Sequence, residues 1–201
     1  MNKLLAAAFI AAAFFISNAD AHGKRSGPLP PGISIPALTH GQMAVVVNYR
    51  AAILDLANQQ SATDETFRRL MNYGNIQATY CLWGAVPGSL TDEASPFNEC
   101  AHAYLAATKA LLQHMTGMAS AADSATVLIT QMDGEMFARG ASWQLCEFSA
   151  EPFSTGAFIM PHLADVFTHW PSFVTFAVVF VLLALGLWAL FRTSGRPSPG
   201  G

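Results

Sequence analysis

Residues 95–115 read SPFNECAHAYLAATKALLQHM, and this stretch decides the fold class. Ser95 is a favoured N-cap residue, and Pro96 suits the first helical position, where a missing N–H leaves nothing unpaired. Phe97, Cys100, Ala101, Tyr104, Leu105, Thr108, Leu111, Leu112 and Met115 then recur at spacings of three and four. Those side chains share one face of a helix, and a face this apolar needs other elements to cover it.

The flanking segments supply them. From Leu38 to Gln60, the residues Met43, Val46, Val47, Ile53, Leu54 and Ala57 form a second stripe, with Arg50 placed to snorkel at its edge. Ser61 and Thr63 offer caps for a further helix through Phe67, Leu70 and Met71. Gly74 is expected to interrupt it before Ile76 to Trp83, and Pro87-Gly88 to end it. Downstream, Ser120 to Arg139 carries Ala125, Leu128, Ile129, Met132 and Met136, with Gly140 as the stop, and a short helical piece follows around Trp143 to Phe148. Nothing alternates with period two over a useful length. The expected fold is all-α, a small periplasmic helical bundle with one C-terminal transmembrane helix.

The ends of the 201-residue chain carry its targeting signals. Lys3, an apolar run from Leu4 to Ile16 and Ala19-Asp20-Ala21 form a signal peptide over 1–21, cleaved to leave His22 first. Residues 22–36 are rich in Gly and Pro and form an extended arm. The helical ectodomain then covers 37–170. Phe173 to Phe191 holds 19 residues without a charge, enough at 1.5 Å per residue to cross a hydrocarbon core about 30 Å thick. This defines a transmembrane helix over 171–191, with Trp170 and Trp188 near its ends and Arg192 and Arg196 in a short tail, 192–201. Cleavage puts the N-terminal domain outside, and the arginines put the C-terminus in the cytoplasm. The expected location is the bacterial inner membrane, single-pass, with the domain in the periplasm.

From His22 to Trp170 the formal balance is −5. No basic cluster is present to neutralise phosphates, which excludes nucleic acid as a partner. Also absent are H-E-x-x-H, G-x-S-x-G and a glycine-rich phosphate loop. No paired carboxylates are set by spacing, so an enzyme is not expected.

Cysteine and metal-ligand chemistry remain. Cys81 closes one helix and Cys100 opens the next, so a disulfide joining them would staple the Pro87-Gly88 connection, with Cys146 left over or pairing with either in its place. Three ligand sets are candidates for a metal. A mature N-terminal His22 offers an amine and a ring nitrogen, which suit Cu(II). His22-Gly23 resembles the opening of exported copper proteins with a histidine brace, although those are β-sandwiches and this chain reads as helical. His114, Met115 and Met118 at a helix end, and Met132 with Met136, are soft donors for Cu(I), or else core packing. His162, Asp165 and His169 fall on one face if Pro161 opens a helix, just above the membrane. The first functional expectation is an accessory or assembly subunit of a membrane complex acting through protein contacts, with no cofactor. The second is copper handling through His22 or the Met/His positions.

Overall fold

The computed structural model describes residues 31–194. Five α-helices dominate them: α1 (His40–Asn58), α2 (Glu65–Tyr80), α3 (Asn98–Met115), α4 (Ala122–Ala138) and α5 (Trp170–Ser194). Two strands of two residues each, β1 (Ser34–Ile35) and β2 (Phe153–Ser154), pair antiparallel in the register Ile35 with Phe153. The end of the arm is thus laid on the bundle, and the fully buried Ile35 and Phe153 fasten it. Strands this short leave no periodic signal, so the sequence reads them as coil. Residues 1–30 and 195–201, with the signal peptide, His22 and Arg196, lie outside the described residues.

The first four helices run up, down, up and down. At the far end from α5, His114 at the top of α3 meets Asp64 at the start of α2, at 2.8 Å, and Ser120 before α4 donates to Gln60 after α1, at 2.7 Å. At the near end, Cys81 after α2 is bonded to Cys100 in α3 across a Cα separation of 5.7 Å. Thr39, before α1, donates to the Ala141 carbonyl after α4, at 2.7 Å. The expected disulfide therefore forms and pins the near end.

Helix α3 is central. Thirteen of its 18 residues are buried, not only the apolar stripe. Ala103, Ala106 and Ala107 account for much of the difference, because small side chains let neighbouring backbones approach from several sides. Gly74 belongs to the same contact. A Cβ there would sit 3.6 Å from that of Ala107, so it brings α2 close to α3, and α2 continues through it. Arg50 does lie at the margin, its guanidinium 5.3 Å from the centre of the Tyr104 ring.

Caps move several expected boundaries. Asp64, not Ser61 or Thr63, caps α2 by accepting from the Phe67 N–H at 2.7 Å. Ser120 spends its hydroxyl on Gln60, and α4 starts at Ala122 without a side-chain cap. Ser95 and Pro96 form a turn, and α3 begins at Asn98, because the Phe97 ring is buried and stacks on Phe176 of α5 at 6.0 Å. Gly140 ends α4 in the left-handed region at φ 59°. The expected helical piece at Trp143 to Phe148 is two 3₁₀ turns, Ala141–Trp143 and Glu147–Ala150.

From β2 the chain returns across α2, where the buried Gln77 amide bonds both the carbonyl and the N–H of Ile159, at 2.6 and 2.9 Å. A 3₁₀ turn, Leu163–Phe167, leads into α5. From Ala177 to Arg192 every residue of α5 is exposed. Among the described residues it is the one helix long and apolar enough to cross a membrane.

Candidate metal centre

The near end of the bundle gathers three metal-ligating side chains from distant parts of the sequence. His40 is the first residue of α1, placed by a capping box on Thr39. The Thr39 hydroxyl accepts from the Gln42 N–H at 3.2 Å, and the Gln42 side chain accepts from the Thr39 N–H at 3.0 Å. His102 lies one turn into α3 and is fully buried. Cys146 opens the turn Glu147–Ala150 and is the one free cysteine. One donor atom from each residue falls within 4.8 Å of the other two.

Local structure holds this geometry. The Nε2 atom of His102 is 3.2 Å from the Cys146 sulfur. Ser149 ties the other two donors together, its oxygen accepting the N–H of Cys146 at 2.7 Å and that of His40 at 3.2 Å. Its hydroxyl also donates toward the sulfur at 3.3 Å. Such donors around a ligating thiolate orient it and stabilise its charge. Gly41 keeps the cysteine-bearing segment close: its N–H donates to the Gln144 carbonyl at 3.1 Å, and a Cβ at Gly41 would fall 2.5 Å from the Ala141 oxygen. Phe148 packs over His102, ring centres 6.1 Å apart, and shields that side from water.

The electrostatics suit ligation. Burial, with His40 adding to it, pushes the His102 imidazole down to about 4, against an opposing contribution from the Leu38 backbone. The Nδ1 atom of His102 is buried without a well-formed hydrogen bond. His102 is therefore neutral, with a lone pair to give, at any ordinary pH. His40 Nδ1 is also buried without a hydrogen-bond partner. A buried orphan nitrogen needs an explanation, and a bound cation beside a thiolate provides one. Two imidazoles and one thiolate form a trigonal set that copper favours and that zinc accepts with a further ligand.

Those residues singled out from sequence that the structure describes are placed elsewhere. His22 lies outside the described residues. His114 pairs with Asp64, Met115 is fully buried core, and Met118 packs partly buried against that core. Met132 and Met136 are core as well. His162, Asp165 and His169 do not share a helix face, because the 3₁₀ turn Leu163–Phe167 replaces the continuous helix and leaves both histidines outside it. His162 instead reaches Glu99 at 3.3 Å, and His169 reaches Asp92 at 3.1 Å. The Asp165 carbonyl accepts from the His169 N–H.

Asp92, His169 and Ser172 stand in a line, Ser172 Oγ lying 2.7 Å from His169 Nδ1. The order is that of a nucleophilic triad, but Ser172 is fully buried and no substrate can reach its oxygen. The arrangement ties the first turn of α5 to the α2–α3 connection. The same contact holds the Asp92 carboxyl below the usual range, the His169 hydrogen bond being the main cause.

Of the six histidines in the chain, His40 and His102 belong to no local pattern, and these two meet the third cysteine. The leftover cysteine was the available signal. Its partners were hidden by separations that only the bundle topology closes. No family model, curated protein sequence or solved structure matches the chain.

Proposed function

We propose that this chain is a membrane-anchored copper-handling protein, binding the ion through His40, His102 and Cys146 on the exported face of a bacterial inner membrane. In this reading the signal peptide is removed after Ala21, the bundle lies in the periplasm and the C-terminus is cytoplasmic. The protein is not an enzyme. It holds copper and exchanges it with a membrane complex, which joins the accessory role first expected from sequence to the copper role ranked second.

The observation that carries the reading is the convergence of a free thiol and two imidazoles, one fully buried and kept neutral, within 4.8 Å. A soft thiolate with two imidazoles selects copper or zinc over hard cations. Three donors without a fourth His, Cys or acidic group among the described residues suit the trigonal coordination of copper better than the tetrahedral habit of zinc.

The test is a titration of the full-length protein in detergent with Cu(I), Cu(II) and Zn(II) under chelator competition. Sub-micromolar copper binding at one site is expected. Cys146→Ser and His102→Gln should each weaken it by well over ~100-fold, since outer-shell changes alone cost about 10–100-fold. His22→Ala and Met118→Leu should leave it unchanged. Binding that survives Cys146→Ser but is lost in His22→Ala would replace this site with an N-terminal brace. A preference for Zn(II), or no binding of either ion, would refute copper handling.

A further inference from the structure

Among the described residues before Trp170, eleven large apolar side chains are exposed, and only Val127 sits near the far end of the bundle. The rest lie on the half that faces α5. Trp83 is on the α2–α3 connection, 64% exposed; Phe137 is in the last turn of α4, 90% exposed; Trp143 and Leu145 follow it at 87% and 66%. Leu163 and Phe167 project from the turn before α5 at 62% and 66%. Water-facing aromatic rings on three separate connections at one end need an apolar occupant.

The continuity with α5 identifies it. Phe176, six residues into that helix and so about 9 Å past Trp170 along its axis, stacks on Phe97 at the base of α3. The bundle therefore reaches alongside the first two turns of the membrane helix and does not hang above it. The turn Leu163–Phe167 lies beside α5, the Phe167 and Phe173 rings 6.4 Å apart. With Phe173, Phe176 and Phe180 it walls an apolar groove that runs along α5 as far as Leu183. The α5 wall of that groove lies at the depth of acyl chains, and the turn closes its upper part. The junction is fixed by the buried Ser172 and by His169 bonded to Asp92, so this height is set by structure.

Trp83 adds an independent sign. Leu82 and Trp83 both adopt left-handed backbone conformations, at φ 49° and 53°, which L residues avoid. The consequence is an indole turned outward at the near end, where tryptophan favours the headgroup layer.

We propose that the near end of the bundle rests in the interfacial layer of the bilayer, with Trp83, Trp143 and Leu145 among the headgroups and Leu163 and Phe167 at the acyl boundary. Seating is apolar, not electrostatic: Asp92, Glu93, Glu147, Glu151 and Asp165 are acidic, and among the described residues the same end has no basic cluster to draw anionic lipid. This reading rests on α5 as a membrane span and not on metal binding. It also places Cys146, next to Leu145, at the membrane surface.

Single-tryptophan variants of the full-length chain, reconstituted in phosphatidylcholine vesicles carrying acyl-chain bromines, test it. Trp83 alone and Trp143 alone should each emit blue-shifted and be quenched, most strongly with bromines near the headgroups and equally at low and high salt. Val127→Trp in a tryptophan-free background should emit as in water and resist quenching, with circular dichroism confirming each fold. Emission of Trp83 and Trp143 as water-exposed as that control would overturn the seating. Blue-shifted emission without bromine quenching would also overturn it, by pointing to a second copy or a protein partner.

Discussion

The two ends of the bundle are built from different chemistry. At the far end, Asp64 meets His114, Ser120 meets Gln60 and Arg69 pairs with Glu65, all exposed or half-exposed and bathed in water. Such contacts close helix ends and each is worth little. At the near end the polar groups are a buried imidazole, a disulfide, a free thiol and two histidine–carboxylate ties, ringed by exposed aromatic side chains. One end closes the fold, and the other holds groups that water alone would not require. The proposed copper site and the proposed membrane seating both draw on the second kind, at the end nearer α5.

Removing the staple tests that contrast most severely. The Cys81–Cys100 bond closes a 19-residue separation, so its loss should lower stability by about 3 kcal/mol through a freer unfolded chain. In Cys81→Ala/Cys100→Ala, hydrogen exchange should accelerate first at 82–97, the connection carrying Trp83 and Asp92. The far-end amides of 64–67 should change only with global stability. Equal acceleration at both ends would show that the near end has no separate rigidity.

Gly41→Ala is a smaller and more local probe. Its new Cβ would fall 2.5 Å from the Ala141 oxygen and 2.8 Å from the Ala141 Cα, both backbone atoms, so the 141–146 segment must move off α1. Overpacking of this kind costs about 1–3 kcal/mol. The informative readout is copper affinity, which should fall more than stability alone would require, because Cys146 is carried away from His40. An unchanged affinity would separate the metal site from the helix contact.

How much of this was legible in the sequence follows from the range of each interaction. The α3 stripe and the long apolar helix α5 rest on neighbours a few turns apart, and period and length reveal them; the Cys81–Cys100 pairing rests on a single connection, and spacing favours it while leaving Cys146 as an alternative partner. Gly74 misleads because its usual role as a breaker yields to close packing against Ala107. Ser61, Thr63 and Ser120 are all competent caps, and only the meeting of α2 with α3 and of α1 with α4 selects Asp64 and diverts Ser120. The candidate metal site is the extreme case. His40, His102 and Cys146 stand 62 and 44 residues apart, and their meeting depends on the up-down order of four helices.

The smallest expected effect is at the far end, and it carries a definite sign with pH. Asp64 caps α2 and also faces His114. The hydrogen bond from the Phe67 N–H is the main reason its carboxyl sits below the ordinary value of 3.8, with His114 and Arg68 adding to the shift. A carboxylate lowered by folding stabilises the native state fully above its unfolded pKa, and that contribution disappears as pH falls through the folded value. Thermal unfolding of wild type and Asp64→Ala should therefore differ by a few degrees at most, by a constant amount from neutral pH down to the mid-fours. The gap should narrow as the carboxylate protonates below that. Copper affinity and near-end exchange rates should be the same in both. A gap that instead widened toward acid would mean that the helix cap does not carry the effect. Any change in copper binding would mean that the two ends are coupled through α3, and the division between a closing end and a working end would have to be abandoned.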